Sequence, residues 1–213
     1  MAQPVVTGLI QTCSGIDPTR NVAQLTPMIA KAAANGAQLV VLPEGANLLD
    51  RDPARFAVTL AEGGTQASLA AFASLAARHG IWLLAGSLIL PGSKPGKAVN
   101  RSCLFDPDGQ QVASYDKIHL FDVDLGGGEV YRESNSFEPG RQACLADMDG
   151  VGLGLTICYD LRFAALYRAL AQAGADIITV PAAFTVPTGK AHWLTLLRAR
   201  AIETGSYVLA AAQ

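Results

Sequence analysis

No apolar run in the sequence approaches the roughly eighteen residues that a membrane-spanning helix needs, so no span is expected. The N-terminus, MAQPVVTGLIQ, places no basic segment ahead of an apolar one, so no secretory leader is expected either. Cysteine is scarce: Cys13, Cys103, Cys144 and Cys158 include no C-x-x-C pair, and four in 213 residues do not make a disulfide framework. A reducing compartment, the cytoplasm, follows as the expectation. His79, His119 and His192 lie far apart without ligand spacing, so neither a metal nor another cofactor is expected. Charge is thin as well, and a net charge of −2 supplies no basic field for nucleic acid. Two glycine clusters fail as nucleotide sites. Gly150, Gly152 and Gly154 lack the third glycine of G-x-G-x-x-G and open no helix; Gly126-Gly127-Gly128 lacks the lysine and hydroxyl residue of a phosphate loop.

What the chain has is apolar residues, 50% of the total, enough for a large core. Val5 to Ile10 reads as a strand. Asp17-Pro18 then caps a helix running towards Gly36, which Pro27 is expected to kink or divide. Leu39 to Leu42 is a short strand ended by Pro43-Glu44-Gly45. A helix over Thr65 to His79 leads into a strand over Ile81 to Leu90. Val99 to Phe105 and Gln110 to Tyr115 flank a hairpin turn at Asp106-Pro107-Asp108-Gly109, and residues 121–140 read as a long loop. Further on come a strand over Asp176 to Val180, a loop over Phe184 to Lys190, a helix over His192 to Glu203 and a strand over Ser206 to Ala212. Strand alternating with helix, with no linker between parts, predicts one α/β domain spanning 1–213.

The chemistry gathers around GVGLGLTICYDLRF, residues 150–163. Val151 to Ile157 suits a buried strand, and Leu161, Leu166 and Leu170 follow at helical spacing, which puts Cys158 where a strand hands over to a helix. Glu44 and Lys117 likewise follow strands at their carboxyl ends, the edge where open α/β sheets bind ligands. Taken singly, each has a plain alternative: a buried inert thiol, a solvated loop acid, a surface lysine. Together the types make sense. A thiolate attacks an amide carbon, a carboxylate relays the proton, and an ammonium steadies the oxyanion while favouring the thiolate. Glu129 and Glu133 are candidates for a second carboxylate. Phe184, Thr185 and Tyr159 are candidates for the pocket wall, and Arg162 is expected to pair with Asp160.

LVVLPEG around Glu44, YDKIHLFDVD around Lys117 and ICYDLRF around Cys158 together resemble the Glu-Lys-Cys signature of the nitrilase superfamily of carbon–nitrogen hydrolases. KIHLFDVD, YRESNSFEPG and TGKAHWLTLLRARAIE resemble its Nit branch. The resemblance implies a four-layer α-β-β-α sandwich and a homodimer or larger assembly. It implies that Glu44 is the general base, Lys117 the oxyanion stabiliser, Cys158 the thioester-forming nucleophile and Glu133, rather than Glu129, the second carboxylate. It places the Tyr159 N–H in the oxyanion hole. The reaction implied is hydrolysis of the terminal amide of a small carboxylate substrate, such as deaminated glutathione, to acid plus ammonia. The alternatives are an omega-amidase acting on α-ketoglutaramate or α-ketosuccinamate, and an inactive member serving binding or assembly. Two departures stand out: family chains continue past the position of Gln213 into further strands and a dimer-contact tail, and Lys190 occupies a position where proline is expected.

Overall fold

The computed structural model describes residues 4–124 and 126–213, so Met1–Gln3 of the leader expectation lie outside the described residues. The chain opens with β1 (Thr7–Leu9), α1 (Pro18–Ala34), β2 (Leu39–Val41), α2 (Pro53–Ala61), α3 (Gly64–His79) and β3 (Trp82–Pro91). A meander of β4 (Ala98–Phe105) and β5 (Gln111–Asp116) leads to a small hairpin, β6 (Asp122–Asp124) with β7 (Val130–Arg132). The rest is β8 (Cys144–Met148), β9 (Val151–Leu155), α4 (Ala164–Gln172), β10 (Ile177–Thr179), α5 (Val186–Thr204) and β11 (Tyr207–Leu209).

Two sheets organise these elements: one of order β1-β2-β3-β4-β5 and one of order β11-β10-β9-β8. Strands β1 to β3 run parallel, as do β9 to β11, and each set is extended by antiparallel neighbours. The side-chain alternation of a strand decides the layering. Leu39 and Val41 of β2, Leu84 of β3 and Leu104 of β4 form one core with Ala146, Met148, Leu153 and Leu155 of the second sheet. The intervening Val40 and Leu83 turn the other way, onto Leu25 and Ile29 of α1 and Phe72, Leu75 and Ala76 of α3. Leu166, Tyr167 and Leu170 of α4 and the half-buried Trp193, Leu196 and Leu197 of α5 complete the second half. The result is the expected α-β-β-α arrangement. No helix among the described residues is long and apolar enough to cross a membrane.

Several expectations need correction. Pro27 does not divide α1, which continues through it with Leu25 and Ile29 buried on either side. Packing of that face holds the helix across the missing N–H. α2 was not anticipated, although Asp52-Pro53 repeats the Asp17-Pro18 signal, and the Asp52 carboxylate accepts from Arg55 N at 2.9 Å. The loop expected over 121–140 contains β6, β7 and a 3₁₀ turn over Glu133–Asn135. Three-residue strands carry too little periodicity to be legible. α5 starts at Val186 rather than His192, with a proline at its first turn, so Lys190 is helical rather than in a loop.

Candidate active site

Glu44 is set by the chain just past β2. Leu42 N donates to Leu84 O at 3.0 Å, Ala46 N to Ser87 O at 2.9 Å, and Gly45 N to the Ser87 hydroxyl at 3.0 Å. This segment lies so close to β3 that a Cβ on Gly86 would sit 1.6 Å from Leu42 O. Glycine is therefore required there. The Gln213 amide donates to Glu44 O at 2.5 Å from the other side. Lys117 directly follows β5, and its N–H donates to Asn100 O on β4 at 2.9 Å.

Lys117 Nζ donates to Glu44 Oε1 at 2.9 Å and to both Glu133 oxygens, at 3.1 and 3.0 Å. Only 3% of the lysine is exposed, so this is an ammonium enclosed between two carboxylates. Glu44 Oε1 also accepts from Asn100 Nδ2 at 2.9 Å, and Oε2 accepts from Ala183 N at 2.8 Å. Phe121 N holds Glu133 Oε2 at 2.6 Å. The other loop acid, Glu129, instead accepts from the Tyr131 hydroxyl at 2.6 Å, so geometry separates the two glutamates.

Cys158 is buried, its N–H donates to Pro181 O at 2.8 Å, and its φ of +46° lies in the left-handed region that non-glycine residues rarely occupy. β9 ends at Leu155, earlier than expected. A 3₁₀ turn over Cys158–Arg162 precedes α4, so the cysteine opens a tight turn and not a regular helix. Asp160 supports that turn. Its carboxylate accepts from Ile157 N at 2.8 Å, the Tyr115 hydroxyl at 2.7 Å and His119 N at 3.1 Å, and it meets His119 Nδ1 at 2.7 Å. The cysteine turn is thereby tied to the lysine segment. Arg162 does not pair with Asp160; it lies against His192 Nδ1 at 3.3 Å and over the rings of Tyr159 and Phe184.

The charges follow from these contacts. Burial pushes the Glu44 carboxyl up, but Lys117, the neighbouring Cys158 thiol and Ala183 N outweigh it and leave the group below its usual 4.5. Burial pulls Lys117 down, yet Glu44 and Glu133 hold it well above 10.5. Burial and then the Glu44 charge push the Cys158 thiol well above 9.0; the opposing pull of Lys117 is present but does not prevail. The three shifts favour a protonated thiol beside an ionised carboxylate and an ammonium.

Glu44, Lys117, Glu133 and Cys158 line one cavity of about 1190 Å³, together with Tyr159, Phe184 and Thr185. Glu129, the other candidate acid, lines the same cavity, so the cavity alone does not separate it from Glu133; their hydrogen bonds do. Sequence reasoning missed Asn100 and the Asp160, His119 and Tyr115 contacts. One signal was available: Asn100-Arg101-Ser102 is a polar interruption within the apolar pattern of β4. Among the described residues no cluster of metal-ligating side chains occurs.

A fold of two sheets between helices, with a buried lysine, two glutamates and a cysteine in one cavity, defines a class. The chain belongs to the carbon–nitrogen hydrolase family, whose profile matches residues 7–213. It is 44% identical to a deaminated glutathione amidase of Yersinia enterocolitica over 96% of its own length and 72% of that protein's. It is 38% identical to a human omega-amidase over 90% of this chain and 68% of that one. Among solved structures, the NitFhit protein of C. elegans superposes with a TM-score of 0.89 at 34% identity, over 97% of this chain and 50% of that chain.

Proposed function

We propose that this chain, acting as one hydrolase domain, is a cofactor-free amidohydrolase that opens the carbon–nitrogen bond of a small carboxylate-bearing amide through a Cys158 thioester. The observation carrying this reading is the Lys117 ammonium, buried and shared between Glu44 and Glu133 beside a buried cysteine. As the sulfur bonds to the amide carbon, Glu44 takes the thiol proton, and the carbonyl oxygen becomes an oxyanion stabilised by Lys117 and the Tyr159 N–H. Glu44 then passes the proton to the departing nitrogen as the C–N bond breaks. Water attacks the thioester, Glu44 takes its proton, and the acid leaves as the thiol re-forms. Glu133 keeps Lys117 aimed at the reacting oxygen, and Tyr159, Phe184 and Thr185 form the wall against the substrate.

The naming of the Yersinia relative favours deaminated glutathione as substrate, and that of the human relative supports α-ketoglutaramate as the alternative. The leaving groups differ. Deaminated glutathione joins a ketoglutaryl group to cysteinylglycine through a substituted amide, so the dipeptide amine departs in place of the ammonia expected from the sequence; a primary amide such as α-ketoglutaramate releases ammonia. The test is product analysis on both amides with Cys158→Ala as control. A clear preference in kcat/KM is expected, with turnover falling at least about 10³-fold in the variant. Turnover by pure Cys158→Ala would remove the cysteine as nucleophile, and inertness of the parent protein towards both amides would sink the substrate reading. We further assign the chain to a homodimer or larger assembly in the cytoplasm. Exposed Val186, Leu194 and Ile202 on α5 and four unpaired cysteines support this, and a monomer by light scattering would refute the assembly.

A further inference from the structure

Asn100 sits on β4 with 3% of its surface exposed, and its carbonyl is already used by Lys117 N. Its Nδ2 donates to Glu44 Oε1 at 2.9 Å, the oxygen that also receives Lys117 Nζ at 2.9 Å. A carboxylate only accepts, so chemistry fixes which end of the amide faces Glu44. The other end gains nothing from the described residues: Oδ1 is buried, and none of them donates to it. An unsatisfied buried acceptor opposes folding, and leucine has nearly the same shape without that penalty. The side chain is therefore explained by its donor end and not by stability.

We propose that Asn100 is a positioning residue for Glu44. With Lys117 it saturates Oε1, which fixes the rotation of the carboxylate and leaves Oε2, which among the described residues accepts a hydrogen bond from Ala183 N alone, as the oxygen that accepts the proton. This rests on Glu44 being the base of the reaction proposed above.

The experiment compares Asn100→Leu and Asn100→Asp in the full chain. The first readout is the rate of Cys158 alkylation by iodoacetamide across pH, resolved by peptide mass spectrometry, with the exposed Cys13 as internal reference. Amide hydrolysis and thermal unfolding are measured alongside. Asn100→Leu should unfold at or above the parent temperature, yet lower the Cys158-to-Cys13 rate ratio about tenfold, the scale of effect expected when a reacting group is misplaced. Asn100→Asp, nearly isosteric and so useful if leucine fails to fold, brings a like charge to Glu44 and should shift the acid limb to higher pH. Unchanged alkylation ratios and limbs in the folded variants overturn the proposal and make the asparagine structural. If the parent hydrolyses no amide while the alkylation effects hold, the reaction reading fails and the positioning role stands. If the parent turns over and the variants match it, the positioning role alone fails.

Discussion

Glu44 and Asp160 are both buried carboxylates surrounded by donors, and they differ in what those donors are. Asp160 faces two backbone N–H groups, a tyrosine hydroxyl and an imidazole. Glu44 faces an ammonium, a side-chain amide and one backbone N–H, with a thiol alongside. The first set locks backbone segments together. The second contains a neighbour able to give up a proton and a cation that stabilises negative charge. Burial and hydrogen bonding alone do not mark a catalytic group; the mobility of the proton beside it does.

Four experiments press on that contrast. Lys117→Met removes the cation from the Glu44 side and should lower kcat by roughly 10²–10³-fold, the usual scale for losing one oxyanion donor, with a smaller change in KM. A loss confined to KM would place the lysine in binding instead. Next is the pH profile. On the proposed mechanism Glu44 acts ionised, and its carboxyl is depressed, so the acid limb of kcat/KM should lie below 4.5; with Lys117 and Cys158 both raised, the alkaline limb should lie above 9.0. A single limb near neutrality would contradict the assignment. The same depression links Glu44 to stability: its contribution is complete above the ordinary carboxyl value and is lost as pH falls through the depressed one.

Asp160→Asn, by contrast, should act mainly on folding. An amide turned towards existing donors leaves at least one of them unmet, for about 1–3 kcal/mol, and lets the left-handed Cys158 turn relax, with about a tenfold fall in kcat. Denaturant titration beside kinetics separates the two effects, and an unchanged midpoint would deny Asp160 its holding role. Tyr115→Phe, which removes one donor from the same carboxylate, should cost about 1 kcal/mol with little kinetic change. A rate loss matching that of Lys117→Met would erase the distinction between the two carboxylates.

Much of this was legible in the chain itself. Long apolar strands and capped helices show in local pattern, as do Pro43-Glu44-Gly45 after a strand and Cys158 after another. The partners were not, because they act across sequence: Asn100 and Glu44 are 56 residues apart, and Tyr115 and Asp160 are 45 apart. Choosing Glu133 over Glu129 by geometry required the short β6–β7 hairpin, whose three-residue strands leave little periodic trace. Arg162 shows the same limit from the other side. Its sequence closeness to Asp160 suggested a pair, and the fold turned it to His192 and two aromatic rings.

The upward push that burial and the Glu44 charge give the Cys158 thiol bears on oxidative damage. Peroxides react with thiolates, and a sulfur that stays protonated and shielded at rest presents little for them to attack. On the proposed reaction, activation is deferred until a substrate carbon arrives to accept the electron pair, so Cys158 stays quiet towards oxidants while remaining available to amides. Under mild hydrogen peroxide, sulfenic acid should accumulate at exposed Cys13 before Cys158; the reverse order, read by dimedone labelling, would mean that the site holds a standing thiolate after all.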